Sequence, residues 1–93
     1  MQYVLITHEV EDYAHWKRGF DNAAALRKEA GELEFQVLRY EADLNRVLHF
    51  SRWRSLSEAK LFFESNEVKK IRSDLGVKRP EFVYLNQEEA GSL

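Results

Sequence analysis

The sequence predicts an α+β domain with the element order β-α-β-β-α-β, on three observations. Two stretches carry apolar residues at helical spacing, and each ends at a glycine. Four short stretches rich in Val, Ile, Leu, Phe and Tyr read as strands. The chain has 93 residues, so one domain spanning 1–93 is expected.

Tyr3 to Val10 is apolar and β-branched and reads as a central strand. Asp12 is placed to cap the next helix, along which Tyr13, Trp16, Phe20, Ala23, Ala24 and Ala30 recur, with Gly31 as the stop. Leu33 to Glu41 is a second strand and Val47 to Trp53 a third, joined as a hairpin through the Asp and Asn of 42–45. Ser55 with Glu58 has the spacing of a capping box. Leu56, Ala59, Phe62 and Phe63 form the apolar side of that helix. Ser65 or Asn66 interrupts and recaps it, Val68, Ile71 and Leu75 continue it, and Gly76 closes it, with Val77 folding back. Pro80 is expected to lead into a last strand over Glu81 to Leu85, and residues 87–93 to fray.

This is the split βαβ, ferredoxin-like pattern: a four-stranded antiparallel sheet with helices on one face and the second helix broken in two. Alternate residues place large apolar groups on both faces of the strands, for example Val4 and Ile6 against Tyr3 and Leu5. The helices cover one face only. A second copy of the chain is the simplest cover for the other, so a homodimer is expected.

Composition narrows the function. The content is 44% hydrophobic and 13% aromatic, enough for a core and against disorder. The net charge of −2 is spread without blocks, which argues against nucleic-acid binding, and the third strand, RVLHFSRW, lacks the Gly-aromatic pattern of an RNA-binding sheet. There is no cysteine, so no disulfide and no thiolate site. The N-terminus reads as a strand rather than a signal peptide, and no run is long enough to span a membrane. A cytoplasmic location is the default expectation, with no membrane partner.

Three residues are candidates for chemistry. Arg27 falls on the apolar stripe of the first helix, where a charge needs a partner or a route to water. It either clamps an anion in a helix–sheet cleft or runs its guanidinium out to solvent or the helix C-terminus. His8 and His49 lie on strands that neighbour each other in this topology and can share a face, as suits proton transfer. The plain alternative is two separate hydrogen-bonded histidines. Trp16, Trp53, Phe62, Tyr40 and Tyr84 could wall a pocket for a flat ligand or could be ordinary core. The histidines lack metal-ligand spacing, and no phosphate loop or serine-nucleophile motif is present.

Over nearly its whole length the chain also resembles a family. The stretch His8-x-Val10-x-Asp12-Tyr13-x-x-Trp16-Lys17-x-x-Phe20-Asp21, the turn Asp43-Leu44-Asn45-Arg46-Val47, and Trp53-x-Ser55-x-x-Glu58-Ala59 carry the likeness. It continues in Arg27-x-x-Ala30-Gly31, Phe62-x-x-Ser65-x-Glu67 and Gly76-Val77-x-x-Pro80-Glu81-Phe82. These are similar to the small dimeric α+β barrel proteins related to antibiotic biosynthesis monooxygenases. The resemblance implies a homodimer and, in its enzymatic members, cofactor-independent oxygenation or cyclisation of small aromatic or polyketide-like molecules. It would make His8 or His49 the base and Arg27 an oxyanion partner, with no cofactor and no metal. Haem-degrading relatives are suggested to use an Asn near the first strand, with a Trp and a His on later elements. Here the first strand has Thr7 and His8, and the second helix has no His, which argues against that chemistry. A non-catalytic homodimer that binds a small ligand is the other reading.

Overall fold

The computed structural model describes all residues 1–93. Strand β1 (Gln2–Val10) is followed by helices α1 (Tyr13–Asn22) and α2 (Ala24–Ala30), strands β2 (Glu32–Arg39) and β3 (Arg46–Trp53), helices α3 (Leu56–Phe63) and α4 (Asn66–Asp74), and strand β4 (Val77–Asn86). The sheet order is β2-β3-β1-β4, and all pairings are antiparallel. The expected ferredoxin-like topology is therefore present, with β1 central.

The caps follow the sequence. The Asp12 carboxylate accepts from the backbone N–H groups of Ala14 and His15. Ser55 Oγ accepts from Glu58 N at 3.1 Å, while the Glu58 carboxylate pairs with Arg54, so only half of a capping box forms. Ser65, not Asn66, caps α4, accepting from Val68 N.

Three details depart from expectation. The first helix is also broken, at Ala23, which no Gly or Pro announces. The last strand begins at Val77 and includes Pro80. The missing N–H is tolerated because β4 is an edge strand and its register with β1 shifts between Thr7 and Glu9, opposite this point. A shift between Glu32 and Glu34 likewise resets the start of β2. Residues 87–93 contain no helix or strand, and Gln87 N still donates to Met1 O.

The helices cover the face of the sheet bearing Val4, Ile6, His8 and Val10 of β1 and Val47, His49, Ser51 and Trp53 of β3, all buried. Two apolar clusters form there. One joins Val4, Ile6, Trp53, Ala59, Phe63 and Val68; the other joins Val10, Trp16, Phe20 and Val47. His8 and His49 lie between them on the sheet. The other face has no helix. It presents Tyr3, Leu5, Leu38, Leu48, Phe50, Val83 and Leu85, with Tyr3 and Phe50 stacked at 5.0 Å. The apolar two-sidedness read from the sequence is real.

Helices α1 and α4 meet at Gly19 and Leu75. A Cβ at Gly19 would stand 2.6 Å from Leu75 Cδ1 and closer still to Cδ2. Alanine there gains about 1 kcal/mol in helix propensity but overpacks a contact at a cost of about 1–3 kcal/mol. Gly19→Ala is therefore expected to destabilise the wild type by up to ~2 kcal/mol and to stabilise a Leu75→Ala background by ~1 kcal/mol. Urea midpoints of the four proteins of this cycle check the change of sign.

Candidate functional site

Between the two pairs of helices and the sheet lies a cavity of about 70 Å³, with a mostly apolar wall of 16 residues. Its polar lining comes from β1 (His8), α2 (Arg27), β3 (His49) and α4 (Arg72). Trp16, Phe20, Phe63 and Leu75 supply much of the rest.

His8 and His49 share the helix-covered face. In the β1–β3 ladder His49 stands opposite Ile6 and His8 opposite Val47, so the two are diagonal neighbours. Their surroundings differ. His49, 4% exposed, shares a hydrogen bond of 2.7 Å between Nε2 and Glu32 Oε2. A carboxylate only accepts, so Nε2 carries a proton, and in the neutral ring Nδ1 then keeps its lone pair. His8 is 6% exposed, and its Nδ1 is the one fully buried side-chain nitrogen or oxygen without a hydrogen bond. Its pKa is lowered from 6.5 to about 4, by burial first and by the nearby His49 and Arg72 charges. The Glu9 main chain pulls the other way without reaching hydrogen-bonding geometry. His8 is thus neutral at pH 7.

Arg27 is buried, as its place on the stripe implied, but it neither runs to solvent nor stands free. Nε donates to Glu32 Oε1 at 2.7 Å, Nη1 donates to the Phe20 carbonyl oxygen near the α1–α2 break, and the guanidinium carbon lies 3.6 Å from the Phe20 ring centroid. Glu32 therefore bridges Arg27 and His49. Burial alone would raise the Glu32 pKa; the hydrogen bonds and charges of His49 and Arg27 together outweigh it and hold the carboxyl below its usual range.

Glu32 is the residue the sequence reading missed. It follows Gly31, whose φ of 123° suits glycine and turns the chain back beneath α2. A signal was present: a buried Arg27 demanded a carboxylate, and Glu32 is the first residue past the helix stop.

Of the aromatic residues expected at a pocket, Trp16 and Phe62 line the cavity. Three others do not. Trp53 is sealed in the core against Phe62 and Phe63, its Nε1–H donated to Ser51 Oγ at 2.8 Å. Tyr40 lies just past the end of β2, 42% exposed, with the Arg46 guanidinium carbon 5.1 Å from its ring centroid. Tyr84, on the outer strand, packs on the cluster containing Val4. Aromatic type did not separate wall from core. His15 is exposed, with a ring nitrogen 3.2 Å from the Asp74 carbonyl oxygen.

Fold and cavity together define a small α+β protein with one helix-covered sheet face, one open face, and a half-open cavity bearing histidine and arginine. The chain belongs to the antibiotic biosynthesis monooxygenase family, whose model matches residues 2–74. No curated protein matches it. Among solved structures it is similar to the cofactor-independent oxygenase SnoaB from Streptomyces nogalater, at 13% identity over 96% of this chain and 94% of that one, with a TM-score of 0.78. A provisionally named antibiotic biosynthesis monooxygenase from Caulobacter crescentus is 21% identical over 95% of this chain and 90% of that one, with a TM-score of 0.73. Another from Deinococcus radiodurans is 18% identical over 100% and 98%, with a TM-score of 0.71. At these identities the likeness to solved structures is one of fold. No helix is long and apolar enough to cross a membrane.

Proposed function

We propose that the chain is a cofactor-independent monooxygenase or cyclase for a small aromatic or polyketide-like molecule, with His49 as its base. The observation that carries this reading is the His49–Glu32 pair at a mostly apolar cavity. Family membership supports the reaction class. Glu32 fixes the tautomer that leaves Nδ1 able to accept a proton, and its charge stabilises the imidazolium that forms. Arg27 holds Glu32 ionised and in place. His8, neutral beside Trp16, is a hydrogen-bonding partner for the substrate rather than its base. In the oxygenase form the substrate loses a proton and its enolate reacts with dioxygen. One oxygen atom enters the product and the other leaves as water, with the substrate itself supplying the electrons. A cavity of about 70 Å³ is smaller than the ~150 Å³ that accommodates benzene, so a ring enters only if side chains of the wall give way.

The test is oxygen uptake, and ring closure by chromatography, over a panel of hydroxylated aromatic ketones. Gln can still donate to Glu32 but is not a base, so His49→Gln is expected to lower turnover by about 10²–10⁴-fold. An unchanged rate refutes His49 as the base. Ligand binding with no turnover across the panel would favour the non-catalytic reading.

We also propose that the working unit is a homodimer joined through the open sheet faces. Their apolar side chains support it, as does the size of the chain, since small domains bury too little surface to be robust alone. Light scattering at micromolar concentration is expected to give twice the 11.0 kDa chain mass. Leu48→Glu together with Phe50→Glu should give the monomer; a wild-type monomer refutes the pairing.

A further inference from the structure

Four cavity-lining side chains carry ionisable nitrogen, namely His8, Arg27, His49 and Arg72, and no carboxylate lines the wall. Two of them are answered from behind it, where Glu32 takes hydrogen bonds from Arg27 and His49. Arg72 has no such answer. Its Nη1 donates to the Phe63 carbonyl oxygen at 3.0 Å, and its guanidinium carbon lies 4.9 Å from the Phe82 ring centroid. It takes part in none of the ion pairs of the chain. Burial draws its pKa down, as expected of a cation partly withdrawn from water without a counter-ion. On the same wall stands His8, more than nine-tenths buried, with Nδ1 unpartnered. An unpaired cation and an unsatisfied imidazole at one small apolar cavity form an incomplete set, and the missing member is an acceptor with negative charge.

We infer that the cavity seats the carboxylate head of a small organic acid between Arg72 and His8. The guanidinium supplies charge and N–H donors, and the neutral imidazole supplies one N–H in the tautomer that turns it to the cavity. The apolar wall, 11 of 16 residues, takes up the attached carbon and disfavours a hydrated inorganic ion. The volume of about 70 Å³ suits a head of a few heavy atoms, against ~300–1,000 Å³ for a whole drug-sized ligand. The seat deepens the reading of this cleft as a substrate site by naming the charge of what it takes. It requires binding there, not turnover.

The test is an equilibrium titration of the full chain under anaerobic conditions with butyrate, its uncharged amide butyramide, and inorganic phosphate. Binding is followed by calorimetry and by the ring ¹⁵N signals of the histidines. Butyrate is expected to bind at least tenfold more tightly than butyramide or phosphate and to move the His8 signals. Arg72→Met should abolish the preference over the amide, and Arg72→Lys should retain part of it. Equal binding of butyrate and butyramide overturns the inference, as does a preference that survives in Arg72→Met. Phosphate binding as tightly as butyrate also overturns it, marking a bare cationic patch. The wild-type comparison and Arg72→Lys keep the test decisive if the Met variant folds poorly. An inert His49→Gln result in the oxygen assay would remove the proposed base and leave this outcome untouched.

Discussion

Glu32→Ala is expected to cost the fold about 3–5 kcal/mol, because it strands the buried Arg27 guanidinium without a counter-charge. The two side chains are 6% and 5% exposed, so water cannot substitute for the lost carboxylate. For a 93-residue chain the whole stability is ~5–14 kcal/mol, so the loss is a large fraction of it. Glu32→Gln, which keeps the shape, should lose less. Replacing Arg27 and Glu32 together by leucine should also lose less than Glu32→Ala, since the charge is then removed rather than orphaned. Urea midpoints at one fixed protomer concentration check all three. A loss below ~1 kcal/mol for Glu32→Ala would mean that the pair is not desolvated as described. The pair also has a pH signature. The folded pKa of Glu32 lies below its unfolded value, so its stabilisation is present above the ordinary carboxylate range and is lost as pH falls through the folded pKa.

The second large effect occurs at higher pH and comes from His8. Its pKa is lowered from 6.5 to about 4 on folding. Above the unfolded value neither state is protonated, and the residue contributes nothing to the pH dependence. Between 6.5 and about 4 the unfolded chain binds a proton that the folded chain does not, so stability falls as the solution is acidified. Each pH unit costs about 1.4 kcal/mol, for a total of roughly 3 kcal/mol by the lower end of the window. Denaturation at pH 7.5, 6.5, 5.5 and 4.5 should show this slope in the wild type and a shallower one in His8→Leu. An equal slope in both would show that His8 is not held neutral by its surroundings. The Glu32 window opens only near 4.5, so loss between pH 6.5 and 4.5 reports the cavity, and the ion pair adds to it at lower pH.

Local patterns made the order of elements legible. Polar caps, glycine stops and the alternation along β1 and β3 are short-range signals, and each marks a feature that the structure contains. The shared face of His8 and His49 followed from alternation combined with strand order. Arg27 stood out because its position conflicted with its chemistry. The remainder depends on events that alternation does not encode. The register shift at the start of β2 upsets the in-and-out count at the strand where Glu32 lies. The break at Ala23 follows Asp21 and Asn22, weak helix formers, with no glycine or proline at the break itself. Arg72 looks from the sequence like one more charge near a helix end, and only the approach of α4 to β1 and β4 turns it toward the cavity. Trp53 and Trp16 both follow apolar spacing, yet one fills the core and the other faces the cavity.

The different placement of the two tryptophans gives the protein a built-in optical gauge. Trp16 lies 5.2 Å from the His8 ring, at the wall where a guest would arrive. Trp53 is 2% exposed, with its indole N–H committed to Ser51. Emission from Trp16 should respond to whatever enters or protonates the cavity, while Trp53 serves as a constant reference until the chain unfolds. With Trp53→Phe in place, a single fluorophore would read occupancy of the cavity in real time, without a label.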